Sequence, residues 1–194
     1  MAKTRVHKIY AALLALGMTF PALADWNINN DASSLHFMST KNAQVTEIHK
    51  FDKFTGSLTD EGKLHVAVDL SSVNTAIDIR DTRMQEMLFN VSEYAEATFD
   101  ASLPEEMLNL ATGEVVTGYV DGTLSLHGNQ VDTRFSVMVS KVSENTLTVS
   151  TTSPTLVKAE SFGLSKGIAA LQAIAGLKSI TTTVPVTFAI TLTQ

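Results

Sequence analysis

Leu64-His65-Val66-Ala67-Val68-Asp69-Leu70 sets Leu64, Val66, Val68 and Leu70 on one side of an extended chain and His65 and Asp69 on the other. Side chains of a strand point alternately to its two faces, so this period of two predicts a half-buried β-strand. The same alternation recurs over residues 131–139, where Phe135 and Val137 share the apolar face, over 147–151, and over 184–192, where Phe188 and Ile190 do. Weaker strand candidates are 34–39, 45–58, 98–103 and 115–126, the last interrupted by Gly118 and Gly122, which suit strand bends.

Tight turns separate these runs. Asp60-Glu61-Gly62, Thr112-Gly113, Gly128-Asn129 and Glu144-Asn145 each stand between two strand candidates, as hairpin connections do. Strand after strand joined by short turns predicts an all-β, up-and-down antiparallel sheet. About eight strands is the number at which such a sheet closes into a barrel that is either filled by side chains or able to hold one ligand. Two segments break the pattern: 79–88, with Asp78 as its N-cap and Arg80, Met84, Met87 and Leu88 on one face, and 165–177, with Ile168, Leu171, Ile174 and Leu177 in one stripe. Both predict short helices, the second ending near Gly176.

The chain has 194 residues, 44% apolar and 18% charged, which describes one globular domain rather than a disordered chain. Its first 24 residues read as a secretory signal: Lys3, Arg5 and Lys8, an uncharged apolar run over 9–20, and Ala22-Leu23-Ala24 as the cleavage site before Asp25. That run is too short to span a bilayer, so the expectation is a chain cleaved after Ala24, exported to the periplasm and not membrane-spanning. Residues 25–194 then form the domain, with 11 Lys and Arg against 20 Asp and Glu, a net charge of −9. So acidic a chain, with no basic run, argues against nucleic acid and against electrostatic docking on anionic lipid. No cysteine is present, which excludes disulfides, thiol catalysis and a lipid-modified cysteine anchor.

Catalytic signatures are missing as well. His36, His49, His65 and His127 are scattered without metal-ligand spacing, and no nucleophile elbow, P-loop or dinucleotide fingerprint occurs. Neither a catalytic nor a metal site is therefore expected, and Glu105-Glu106 reads as a solvated loop after Pro104. An outer-membrane barrel would need an apolar outer face, whereas these strands carry His65, Asp69, Asp132, Arg134 and Thr187 on theirs. Phenylalanines at 37, 51, 54, 89, 99, 135, 162 and 188 fit either a solid core or a cavity. Arg80, on a face otherwise made of Met84, Met87 and Leu88, needs a carboxylate or strand-end carbonyls, or else meets a ligand head group at the barrel mouth.

Several motifs, taken in order, resemble the YceI-like periplasmic proteins. They are Trp26-Asn27-Ile28 with Asp31 and Ser34; Phe51, Phe54 and Gly56; Ser72-Val73-Asn74-Thr75 leading into Arg80-Asp81; and Leu88-Phe89-Asn90-Val91 with Tyr94 and Thr98-Phe99. Val120-Asp121-Gly122-Thr123-Leu124-Ser125-Leu126-His127-Gly128 and Phe162-Gly163-Leu164 complete the set, which covers nearly all of 25–194. The chain departs from the family pattern at His49, Arg83 and Ala95-Glu96. The resemblance implies an eight-stranded lipocalin-like barrel with one or two short helices, no catalysis, no cofactor, and a long apolar cavity for a polyisoprenoid or similar long-chain amphiphile, an isoprenoid lipid or a quinone.

On that reading the ligand-binding residues are Phe37, Phe54, Val66, Val68, Arg80, Phe89, Leu124, Leu126, Phe135, Val137, Phe188 and Ile190, with Leu171 and Ile174 as lid contacts. A slip of one residue in register would turn the strand members of this set outward. The alternatives are a solid barrel acting through a homodimer or partner surface, and an enzyme working on a lipid-like substrate through an acid/base pair.

Overall fold

The computed structural model describes residues 25–194, so the expected export signal at 1–24 lies outside the described residues. The chain runs β1 (Trp26–Ile28), β2 (Ser34–Lys41), β3 (Val45–Phe51), β4 (Phe54–Leu58), β5 (Lys63–Asp69), β6 (Val73–Asn74) and α1 (Asp78–Arg83). It continues through a π-helical segment, Met84–Phe89, to β7 (Glu96–Ser102), α2 (Glu105–Leu108), β8 (Val115–Leu126) and β9 (Asn129–Ser143). β10 (Thr146–Thr151), β11 (Thr155–Lys158), α3 (Ser165–Ile174) and β12 (Thr183–Thr193) follow.

These strands make a closed eight-stranded antiparallel barrel, because several are halves of one bent strand. β1 and β2 run successively along one side of β12, through Asn27↔Thr193 and then Phe37↔Val186. β10 and β11 do the same along its other side. β3–β4 and β5–β6 are two further bent strands, and each of the eight pairs with its neighbours in chain order until β12 meets β1 and β2. The predicted meander and its closure are thus both present.

The bends of three adjacent strands are stitched together by side chains where backbone pairing lapses. Asn30 accepts from the Phe54 N–H at 2.9 Å and donates to the Asp52 carbonyl at 3.0 Å, while the Ser72 hydroxyl accepts from the Lys53 N–H at 3.0 Å. Buried or half-buried backbone groups must find such partners, so polar residues at a strand break are a requirement of the bend.

Register turns one face of every strand inward. The β5 face Leu64, Val66 and Val68 meets Ala101, Phe99 and Ala97 of β7, and the β9 face Phe135, Val137 and Val139 follows the predicted alternation. At one end Trp26, Leu58, Met107, Leu147 and Leu192 pack into the main core. Met107 comes from α2, where a solvated loop was expected: Glu105 and Glu106 stay exposed, but one helical turn carries Met107 inward over Gly118, where a Cβ would collide with its methyl. At the opposite end Met84–Phe89 and α3 cover the rim.

Three local expectations are corrected. Asp78 is the first residue of α1 and not its N-cap; Ile77 holds that position without a side-chain bond. The β8–β9 turn is His127-Gly128, both at positive φ (51° and 74°), with Leu126 paired to Asn129, so the two-residue turn lies one residue earlier than read. The second helix stops at Ile174, and Gly176, at φ 62°, turns the chain away.

Candidate functional site

The barrel is hollow. A cavity of about 270 Å³ runs from Leu58, Leu64, Leu103 and Leu192 near the α2 end to Phe37, Phe51, Leu88 and Ile168 beneath the helices, and the surface it presents is wholly apolar. Phe99, Phe135 and Phe188 form one aromatic group on its wall, with ring centroids 5.0 and 5.4 Å apart and edge-on geometry. Phe37, Phe51 and Phe89 form a second, at 5.3 and 5.9 Å, at the helix-covered end.

Of the residues expected to bind ligand, Phe37, Phe54, Val66, Val68, Phe89, Leu124, Leu126, Phe135, Val137, Phe188 and Ile190 all line this cavity. Three do not. Leu171 packs one layer behind, against the cluster of Leu70, Met84 and Phe89. Ile174 lies in the last turn of α3 and is 50% exposed, because the helix ends there instead of continuing over the mouth. Arg80 turns away from the hydrocarbon altogether, since a guanidinium on an apolar wall would go unpaired.

Sequence reasoning missed lining residues contributed by bends and helices: Ile28 from the three-residue β1, Phe51 at the β3–β4 bend, Met84 and Leu88 from the π-helical segment, and Ile168 from α3. No strand-like alternation marks most of these. Phe99 was findable, since it sits on the apolar face of a strand that had been recognised.

Arg80 organises a polar layer above the aromatic end. Its Nε donates to Thr75 Oγ1 and its Nη2 to the Thr75 carbonyl, both at 2.7 Å, and its Nη1 to Glu47 Oε2 at 2.9 Å. Lys41 Nζ reaches the same Glu47 oxygen at 2.7 Å, and Asp81 accepts from the Thr75 N–H and hydroxyl. Glu47 is held below the usual carboxylate range, first by the Lys41 hydrogen bond and further by the Arg80 charge, although burial works against this.

Between this ion layer and the cavity sits His49, 4% exposed and paired through Nε2 with Ser39 Oγ at 2.9 Å. Burial, reinforced by Arg80, pushes its pKa down, which favours the neutral ring. Its centroid lies 5.1 Å from that of Phe37, a cavity residue. The Nδ1 atom is fully buried, and no hydrogen-bonding group of the described residues reaches it.

Elsewhere polar clusters stay on the outer wall. His65 pairs with Asp100 at 2.7 Å and Arg134 with Asp121 at 2.6 Å, all well exposed. Among the described residues no group of three or more His, Cys, Asp or Glu comes together as a metal site would require. No helix among them is long and apolar enough to cross a membrane.

A family model described as the YceI-like domain matches residues 26–192. No curated protein matches the chain. Among solved structures, a polyisoprenoid binding domain from Saccharophagus degradans, implicated in plant cell wall breakdown, is 36% identical with a TM-score of 0.83, covering 87% of this chain and 97% of that one. BcnA of Burkholderia cenocepacia, 19% identical with a TM-score of 0.65, covers 84% and 98%. A mutant YceI protein of Campylobacter jejuni is 20% identical with a TM-score of 0.51, covering 72% and 82%. The last two are likenesses of fold alone.

Proposed function

The chain belongs to the YceI-like family, and from that premise we propose that it is an exported, periplasmic carrier or store of a polyisoprenoid or similar long-chain amphiphile. The observation that carries this reading is the wholly apolar cavity within the barrel. Left empty, 270 Å³ of hydrocarbon-lined space would forfeit on the order of 6 kcal/mol of packing, and an apolar cavity is a poor host for water. A hydrocarbon chain restores the lost contacts and gains about 0.8 kcal/mol for each methylene removed from water. The polyisoprenoid binding domain of Saccharophagus degradans, at 36% identity over most of both chains, supports the ligand class.

The mechanism is burial. Strand alternation supplies the hydrocarbon wall, Trp26, Leu58 and Met107 stop one end, and the two helical segments cover the other, so the ligand is sequestered without covalent chemistry. Native mass spectrometry of protein purified from an envelope fraction, with organic extraction of anything released, tests the reading. A bound chain of defined mass is expected, together with an N-terminus at Asp25. Protein that is repeatedly empty and gains no thermal stability from isoprenoid alcohols or quinones sinks it.

A further inference from the structure

The wall of the cavity offers a ligand head nothing to bond, so the head must lie where the inward-facing surface turns polar. Along β2 and β3 the inner face passes from Phe37 and Phe51 to Ser39 and His49, and then to Lys41 and Glu47 under Arg80. Two features of this layer select a ligand. The first is its charge: Arg80 and Lys41 stand against Glu47 and Asp81, and every guanidinium nitrogen of Arg80 already donates to Thr75 or Glu47. No cation is left over for a phosphate, which would arrive as an additional buried negative charge. The second is the orphan Nδ1 of His49, a buried polar atom whose missing hydrogen bond is costly.

We propose that His49 Nδ1 is the head-group site of the cavity and that it bonds an uncharged oxygen, the carbonyl of a quinone or the hydroxyl of a prenol, and not a phosphate. This rests on the carrier reading above. Ser39 sets the chemistry: when its hydroxyl donates to Nε2, Nδ1 carries the proton and donates to a carbonyl; when Nε2 donates to Ser39, Nδ1 accepts from a hydroxyl. The Phe37 ring beside His49 belongs to the cavity wall and His49 stands directly behind it, so a head reaches Nδ1 by passing the Phe37 ring.

The test uses four probes with related isoprenoid tails: phytane, which has no head; geranylgeraniol; its monophosphate; and a naphthoquinone bearing the geranylgeranyl tail. Delipidated protein should bind the alcohol or the quinone about tenfold more tightly than phytane or the phosphate, and His49→Leu should lose that advantage while keeping its affinity for phytane. In the wild type, nitrogen-15 spectra should show the His49 Nδ1 resonance moving with the preferred neutral-headed probe and standing still with phytane. The direction of that movement tells a donor to a carbonyl from an acceptor of a hydroxyl. This measurement decides the matter even if His49→Leu does not fold.

Equal affinity for headed and headless probes, tightest binding of the phosphate, or an Nδ1 resonance that no ligand moves, as when a water alone satisfies it, would overturn the proposal. Phytane binding would leave the carrier reading intact in each of those cases. If no probe binds, phytane included, the carrier reading falls and the head-group site with it.

Discussion

At one end of the barrel Trp26, Leu58, Met107, Leu147 and Leu192, none more than 8% exposed, pack together into the main core. At the other end the covering is a lid of helices: α3 lies on the π-helical segment, and Gly167 touches it so closely that an added Cβ would stand 2.6 Å from the Met87 carbonyl oxygen. Four residues of the first closure belong to barrel strands, and only Met107 is brought in from outside the sheet by α2. The second is built from α3 and the turn before it, with Phe162, Leu164 and Ile168 packed against Leu88, Leu126 and Val131, and from hydrogen bonds of the α3 loop such as Asn42 N–H to the Ser179 carbonyl at 2.9 Å. On the carrier reading proposed above, the helical end is the one through which ligand passes.

The largest effect is expected at the solid end. Trp26→Ala should cost about 3–5 kcal/mol in urea unfolding followed by circular dichroism, because a nearly buried indole leaves a void that the strands around it cannot collapse to fill. Its folded fraction should release a bound prenol no faster than the wild type, and faster release would dissolve the contrast between the ends.

Gly167→Ala acts at the helical end. The Cβ meets the backbone of the π-helical segment, Met87 O at 2.6 Å and Leu88 Cα at 2.9 Å, so α3 itself must move. A loss of about 1–3 kcal/mol is expected, with ligand exchange in stopped-flow measurements quickened several-fold. Unchanged exchange would place the entrance elsewhere.

A smaller loss should follow Arg80→Met, which leaves Glu47 with Lys41 alone and deprives the Thr75 carbonyl and hydroxyl of their donor. Since these side chains are a quarter to a third exposed, water replaces part of what is lost and about 1–2 kcal/mol is the expected cost. Hydrogen exchange should rise across α1 and β6 and remain unchanged around Trp26.

The smallest effect is a pH slope. His49 has its pKa depressed in the folded protein from the ordinary 6.5, so the unfolded chain takes up the proton first. Stability is then fully present above about pH 6.5 and declines as the pH falls toward the folded value. Glu47, also depressed, adds a further decline once the pH drops below its ordinary 4.5. His49→Gln should flatten the upper part of the curve, and a slope surviving that change would assign it to another group.

Much of the barrel is legible in the chain. All eight predicted runs lie on the eight barrel strands, and 45–58 even spans the bend that joins β3 to β4. What escaped was short or unpatterned: β1 has three residues, β11 alternates Leu156 outward with Val157 inward without any change of polarity, and α2 is a single turn. In the cavity, residues on clean strands were found, whereas Met84 and Leu88 depend on how a helix lies across the rim. β3 shows the limit most sharply. Its Ile48 is 65% exposed and its His49 is 4% exposed, the reverse of what polarity alone suggests, because the inner face there runs past the hydrocarbon and under Arg80.

Alternation, turn chemistry and composition are local, and they were enough to establish strands, hairpins and the inward face of most strands for this chain. Whether the barrel was hollow, which end closed solidly, and where Arg80 and His49 would stand depend on pairings between residues far apart in the chain, such as Trp26 with Leu58 and Glu47 with Arg80. Volume left unfilled and hydrogen bonds left unmade are properties of what surrounds a residue, and those surroundings exist only once the distant strands and helices have met.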